Sequence, residues 1–115
     1  MRVLAVVVLL LLAGCASHPP TDGSWKLVSA TDSAGSFSAD GVTIALAGEA
    51  YNGKAPCNSY TGTLYSGFTT TEVACPALDL EQRYYAALGS VDEATLVNGL
   101  LRLSGGGAVL EFEPA

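Results

Sequence analysis

The chain has 115 residues, with 5 lysines and arginines against 11 aspartates and glutamates, and a formal net charge of −6. So acidic a balance argues against nucleic acid as a partner, because displacing counterions from phosphates takes clustered Lys and Arg. It argues equally against an anionic bilayer surface bound by charge, and the length suits one small core near the size at which a crosslink helps.

At the N-terminus Arg2 precedes the apolar run 3–12, which leads into Leu12-Ala13-Gly14-Cys15. A basic start, an apolar stretch and small residues before a cut are the parts of a secretory signal. Ending on a cysteine, the segment resembles the lipobox read by the lipoprotein signal peptidase. The expectation is that residues 1–14 form a signal peptide and that Cys15 becomes the lipidated first residue of the mature chain. Several acyl chains then anchor it, since a single chain binds a bilayer only marginally. An uncleaved spanning helix needs about 20 apolar residues, more than the run supplies. Ala16 and Ser17, with no Asp after the cysteine, point to the bacterial cell envelope, and in a Gram-negative cell to the outer membrane facing the periplasm. Residues 15–22, with His18 and two prolines, read as a lipidated tether. That leaves 23–115 as one domain, whose only bases are Lys26, Lys54, Arg83 and Arg102.

The domain opens on a period-two pattern in which Trp25, Leu27 and Ser29 alternate with Lys26 and Val28, predicting a half-buried strand. The stretch 31–41, rich in Ser, Asp, Ala and Gly, reads as a loop with Phe37 as a plug into the core. Val42, Ile44 and Leu46 share one face of a second strand, and Asn52-Gly53 reads as a turn.

Cys57 to Cys75 reads as a hairpin around Tyr65-Ser66-Gly67, whose glycine can take the left-handed conformation of a bulged three-residue loop. Pairing Leu64 with Phe68 across it sets Cys57 directly opposite Cys75. With Cys15 committed to lipid, these two are an even pair in an exported chain, where paired thiols become disulfides. The domain holds too few Cys and His to build a zinc site and no Cys-x-x-Cys, so neither a metal nor a cofactor is expected.

After Pro76 the period becomes helical. Leu80, Tyr84, Leu88 and Val91 form the apolar stripe, Glu81, Gln82 and Arg83 take the other side, Asp79 with Gln82 resembles a capping box, and Gly89 ends the helix. Residues 94–97 then turn at Asn98-Gly99 into 100–103, and Gly105-Gly106-Gly107 returns the chain into 109–113, with Leu110 and Phe112 facing one way and Glu111 and Glu113 the other. Short strands with one helix and no βαβ order predict an α+β class, a small antiparallel β-rich domain, barrel- or sandwich-like, with one packed helix.

No catalytic constellation emerges. The one histidine, His18, stands in the tether, so the domain has no imidazole base for a serine or cysteine nucleophile, and no His-Glu-x-x-His. Asn58 and Tyr60 fall on the hairpin face opposite the cysteines. For Asn58 the favoured reading is a cap that bonds nearby backbone; the other is a binding surface shared with Tyr60.

The runs Pro56-Cys57-Asn58-Ser59-Tyr60-Thr61-Gly62, Thr70-Thr71-Glu72-Val73-Ala74-Cys75-Pro76 and Glu81-Gln82-Arg83-Tyr84-Tyr85 resemble the META domain family of HslJ-type heat-shock lipoproteins. Gly23-Ser24-Trp25-Lys26-Leu27 and Asn98-Gly99-Leu100-Leu101-Arg102-Leu103 match its first strand and final meander. The chain departs from the family at Pro56, commonly Gly, at Val73, commonly Met, and in a short span from Gly62 to Thr70. The resemblance implies a β-rich fold with a packed helix in envelope proteins linked to stress and antibiotic tolerance, with no accepted enzymatic activity and no established ligand. The expected protein is therefore non-enzymatic and lipid-anchored, meeting an envelope protein. A carrier or inhibitor holding a small apolar ligand or peptide in a β-rich pocket is the alternative.

Overall fold

A computed structural model describes residues 20–115. The signal segment and Cys15 lie outside the described residues. Among the described residues nine strands and one helix follow in order: β1 (Gly23–Asp32), β2 (Gly35–Phe37), β3 (Thr43–Ala47), β4 (Ala50–Lys54), β5 (Ser59–Thr63), β6 (Gly67–Thr70), α1 (Leu78–Gly89), β7 (Glu93–Val97), β8 (Leu100–Gly105) and β9 (Ala108–Pro114). The strands pair antiparallel in the order β6-β5-β4-β3-β1-β9-β8-β7, with β2 folded back on the far end of β1. The sheet curls into a half-barrel with one helix among the described residues, as the α+β reading expects. Helix α1 links the two outermost strands, and its buried Tyr84, Ala87 and Leu88 pack into the core with Trp25, Ile44, Leu101, Leu110 and Phe112.

Alternation fails once within β1. Trp25 and Leu27 turn inward as expected, but the register against β9 slips between Leu27, opposite Phe112, and Ser29, opposite Glu111. Val28 is the extra residue of a bulge and faces solvent, so Ala30, not Ser29, is the next buried position. The expected loop from residue 31 holds the end of β1 and the whole of β2, and Phe37 packs against the core with the Arg83 guanidinium 4.4 Å above its ring.

Asn52-Gly53 is not a turn. Both residues lie inside β4, and the β3–β4 connection is made at Gly48-Glu49, where Gly48 has φ +64°. Asn98 and Gly99, with φ 52° and 81°, make the expected turn between β7 and β8, and Gly106 and Gly107, with φ 57° and 82°, turn β8 into β9.

The β5–β6 register sets Gly62 opposite Phe68 and Thr63 opposite Gly67, so Leu64 does not pair with Phe68 and the cysteines are not a cross-strand pair of this hairpin. Cys57 and Cys75 are nevertheless bonded, 5.6 Å apart at Cα, joining the segment before β5 to the segment before α1. The helix begins at Leu78 after Ala77, which provides no side-chain cap, so the Asp79 capping box does not form.

Candidate functional site

The hairpin reaches α1 through a buried carboxylate. Glu81, expected on the solvent side of the helix, is only 1% exposed, whereas Leu80, expected on the apolar stripe, is 39% exposed. Glu81 Oε1 accepts the backbone N–H groups of Cys57 and Asn58, both at 2.8 Å, and Oε2 accepts Asn58 Nδ2 at 2.6 Å. A buried carboxylate is tolerable when several donors replace its hydration, and these donors come from a strand entry that has no ladder partner of its own. The sequence carried a signal for this. Positions 81, 84, 88 and 91 follow the spacing of one helix face as well as a stripe begun at Leu80 does, and only the charge of Glu81 spoke against it.

Asn58 completes the node. Its amide donates to the Val73 carbonyl at 2.9 Å, while its Oδ1 accepts the Val73 N–H at 2.6 Å and the Thr71 hydroxyl at 2.8 Å. The side chain thus bridges to the far arm of the hairpin instead of capping its own turn. At 8% exposure it offers little to a partner.

Tyr60, the other residue of the expected surface, is 3% exposed and belongs to a second cluster. Its hydroxyl donates to the Thr43 carbonyl at 2.6 Å, which leaves the Tyr84 hydroxyl, 2.7 Å away, as donor to Tyr60. Tyr51, Phe68, Tyr84 and Tyr85 meet the Tyr60 ring edge-on with centroids 5.6 to 6.3 Å away. Burial pushes the Tyr60 and Tyr84 phenols well above their ordinary range and raises Tyr51 to about 12. Of the expected site residues the fold therefore gathers Cys57, Cys75 and Asn58 at one node and places Tyr60 apart.

Two open surfaces flank this frame. One is a groove of about 350 Å³ between the segment 70–74 and α1, bordered by Val73, Ala74, Leu78, Gln82 and Tyr85. Val73 stands 60% exposed at its rim. The Tyr85 hydroxyl is buried and makes no hydrogen bond, and burial raises its pKa to about 12. The Thr70 hydroxyl lies near enough to temper that rise but donates to the Thr71 carbonyl. The second is a trough of about 680 Å³ across the outer face of β1 and β3–β6, lined by Ser, Thr and Asn side chains and Lys54 together with Trp25, Ile44, Ala45, Tyr60 and Ala115. Among the described residues no group of three or more His, Cys, Asp and Glu side chains gathers in a metal-binding arrangement.

No curated protein and no solved structure matches the chain. The family model of the META domain does match, over residues 19–115, spanning every strand, the helix, the disulfide and the Asn58–Glu81 node described above. The chain belongs to the META domain family.

Proposed function

We propose that this META protein is a lipid-anchored, non-catalytic binding module of the bacterial envelope, held through Cys15 and meeting a partner protein at the groove between segment 70–74 and α1. The observation that carries this reading is the rim of that groove, where Val73 stands 60% exposed beside Ala74, Leu78 and Tyr85, whose hydroxyl is buried with no hydrogen-bond partner among the described residues. A buried polar group without a partner costs about 1–3 kcal/mol, which a peptide carbonyl that displaces the atoms covering the hydroxyl would recover by accepting its proton. Val73, Ala74 and Leu78 beside it supply an apolar wall for the flanking side chain.

The half-barrel interior is occupied by Trp25, Tyr51, Tyr60, Tyr84 and Phe112, which favours binding on the outer surface over an apolar ligand held in a mouth. The resemblance to HslJ-type lipoproteins supports a role under heat or antibiotic stress, and the Cys15 sequence supports the anchor. The test is a photo-crosslinking residue placed at Val73 of the full lipidated chain in stressed cells, with exposed Asp40 as the control position. A discrete protein adduct at Val73, absent at Asp40 and weakened by Tyr85→Phe, is expected. No adduct, or equal adducts at both positions, would count against the groove.

A further inference from the structure

The outward face of β6-β5-β4-β3-β1 carries two polar rows that run across the strands. Cross-strand pairing lines up Ser24, Ala45, Asn52, Thr61 and Thr69 in one, and Lys26, Thr43, Lys54 and Ser59 in the next, with Thr71 beside Ser59 through a backbone bond of 3.1 Å. Neighbours in a row stand about 4.8 Å apart along the hydrogen-bonding direction. The trough they line has no aspartate or glutamate side chain, although the chain has 11 acids. Lys26 is paired with Glu113 at 3.7 Å, whereas Lys54 forms no ion pair among the described residues. Thr61, Thr70 and Thr71 give their protons to protein acceptors, while Ser24, Asn52, Ser59 and Thr69 have side chains with no protein partner among the described residues.

From this arrangement we infer that the trough binds a saccharide bearing a carboxylate, with Lys54 on the carboxylate and the hydroxyl and amide rows on the sugar hydroxyls. A lone ammonium in a trough free of aspartate and glutamate side chains, with Ala115 bonded beside Ser24 at the β1 end, selects one negative group near Lys54, and short neutral donors and acceptors at regular spacing match a polyhydroxylated chain better than a multiply charged ligand. The site is separate from the α1 groove and does not depend on it.

The test is a titration of the full chain, purified in detergent and labelled with ¹⁵N, with two probes: soluble cell-wall glycan strands carrying lactyl ether carboxylates, and an oligouronate. The methyl ester of each serves as control. Expected are shifts in the amides of Asn52, Lys54, Thr61 and Thr69 with at least one acidic probe, weakened about tenfold or more by Lys54→Gln and retained by Lys54→Arg, as loss of one charge-assisted bond requires. Which probe binds identifies the source of the carboxylate. Asn52→Ala, at an exposed position, should weaken binding by a smaller factor with the fold intact. Lack of shifts with both acids, equal binding of the esters, or shifts that arise from protein concentration alone would each overturn the inference, the last by making the trough a contact between copies of the chain.

Discussion

Gly53 stands directly opposite Tyr60 across the β4–β5 ladder, and the phenol lies over the glycine where a side chain would otherwise project. A Cβ there would sit 2.6 Å from Tyr60 Oη and collide with the Thr43 carbonyl that this hydroxyl bonds. One pair thus lets a tyrosine cross β4 to reach β3 while its ring packs against α1. Gly62 repeats the device, with Phe68 opposite and its Cβ 2.6 Å from where a Gly62 side chain would begin.

Gly53→Ala should therefore destabilise the domain by about 3 kcal/mol, because neither neighbour can yield without breaking the Tyr60 bonds. Gly48→Ala, at an open turn with φ +64°, meets only backbone strain and should cost about 1 kcal/mol. Denaturant unfolding of both variants checks the order, and a Gly53→Ala cost no larger than that of Gly48→Ala would refute the packing account.

Much of this was legible from local pattern, and the remainder depended on contacts between distant residues. The meander from residue 94 onward was readable because Asn98-Gly99 and Gly105 to Gly107 declare their turns chemically. The cysteine pair is readable from its even count once export is expected from the N-terminal pattern. Asn52-Gly53 reads as a turn in the sequence because the reason for a glycine at 53 is a ring on the next strand, visible only once the register is known. Glu81 reads as solvent-facing because charge normally is, and its donors lie more than twenty residues away at Cys57 and Asn58. The Val28 bulge leaves no mark in the alternation before it.

Asn58 and Glu81 should behave as one energetic unit. Asn58→Ala leaves the Val73 backbone and the carboxylate short of partners and should cost about 3 kcal/mol, and Glu81→Gln, which offers a donor where an acceptor is needed, about 2 kcal/mol. The double variant should lose less than the sum of the two by about 1 kcal/mol or more. Strict additivity in a thermodynamic cycle would show that the two do not share a network.

On the acid side, bonds from Arg83 to Asp32, at 2.7 and 2.8 Å, hold the Asp32 carboxyl down at about 2 against an ordinary 3.8. Because the folded value lies below the unfolded one, this pair contributes its stability above about pH 4 and loses it as pH falls toward 2. On the alkaline side the raised Tyr51 and Tyr85, each at about 12, contribute below pH 10 and cease to as pH climbs through 12. Asp32→Asn should flatten the acid limb of a stability profile and leave the alkaline limb unchanged.

The Cys57–Cys75 bridge closes the loop that holds β5 and β6, the strands that carry Tyr60 and Phe68. Replacing both cysteines with alanine should lower the unfolding free energy by about 2–4 kcal/mol with the strand content retained in circular dichroism. Free thiols in protein isolated under alkylating, non-reducing conditions would contradict the bridge.

The most direct test of the binding account is Tyr85→Phe, read for stability and for survival under heat and antibiotic stress in the same cells. The variant removes only a buried hydroxyl that has no partner within the domain. Stability should stay level or rise by about 1 kcal/mol, since no internal bond is lost, while tolerance falls toward that of a strain lacking the protein. Tolerance at the wild-type level, with the protein present at normal abundance, would contradict a partner at this groove.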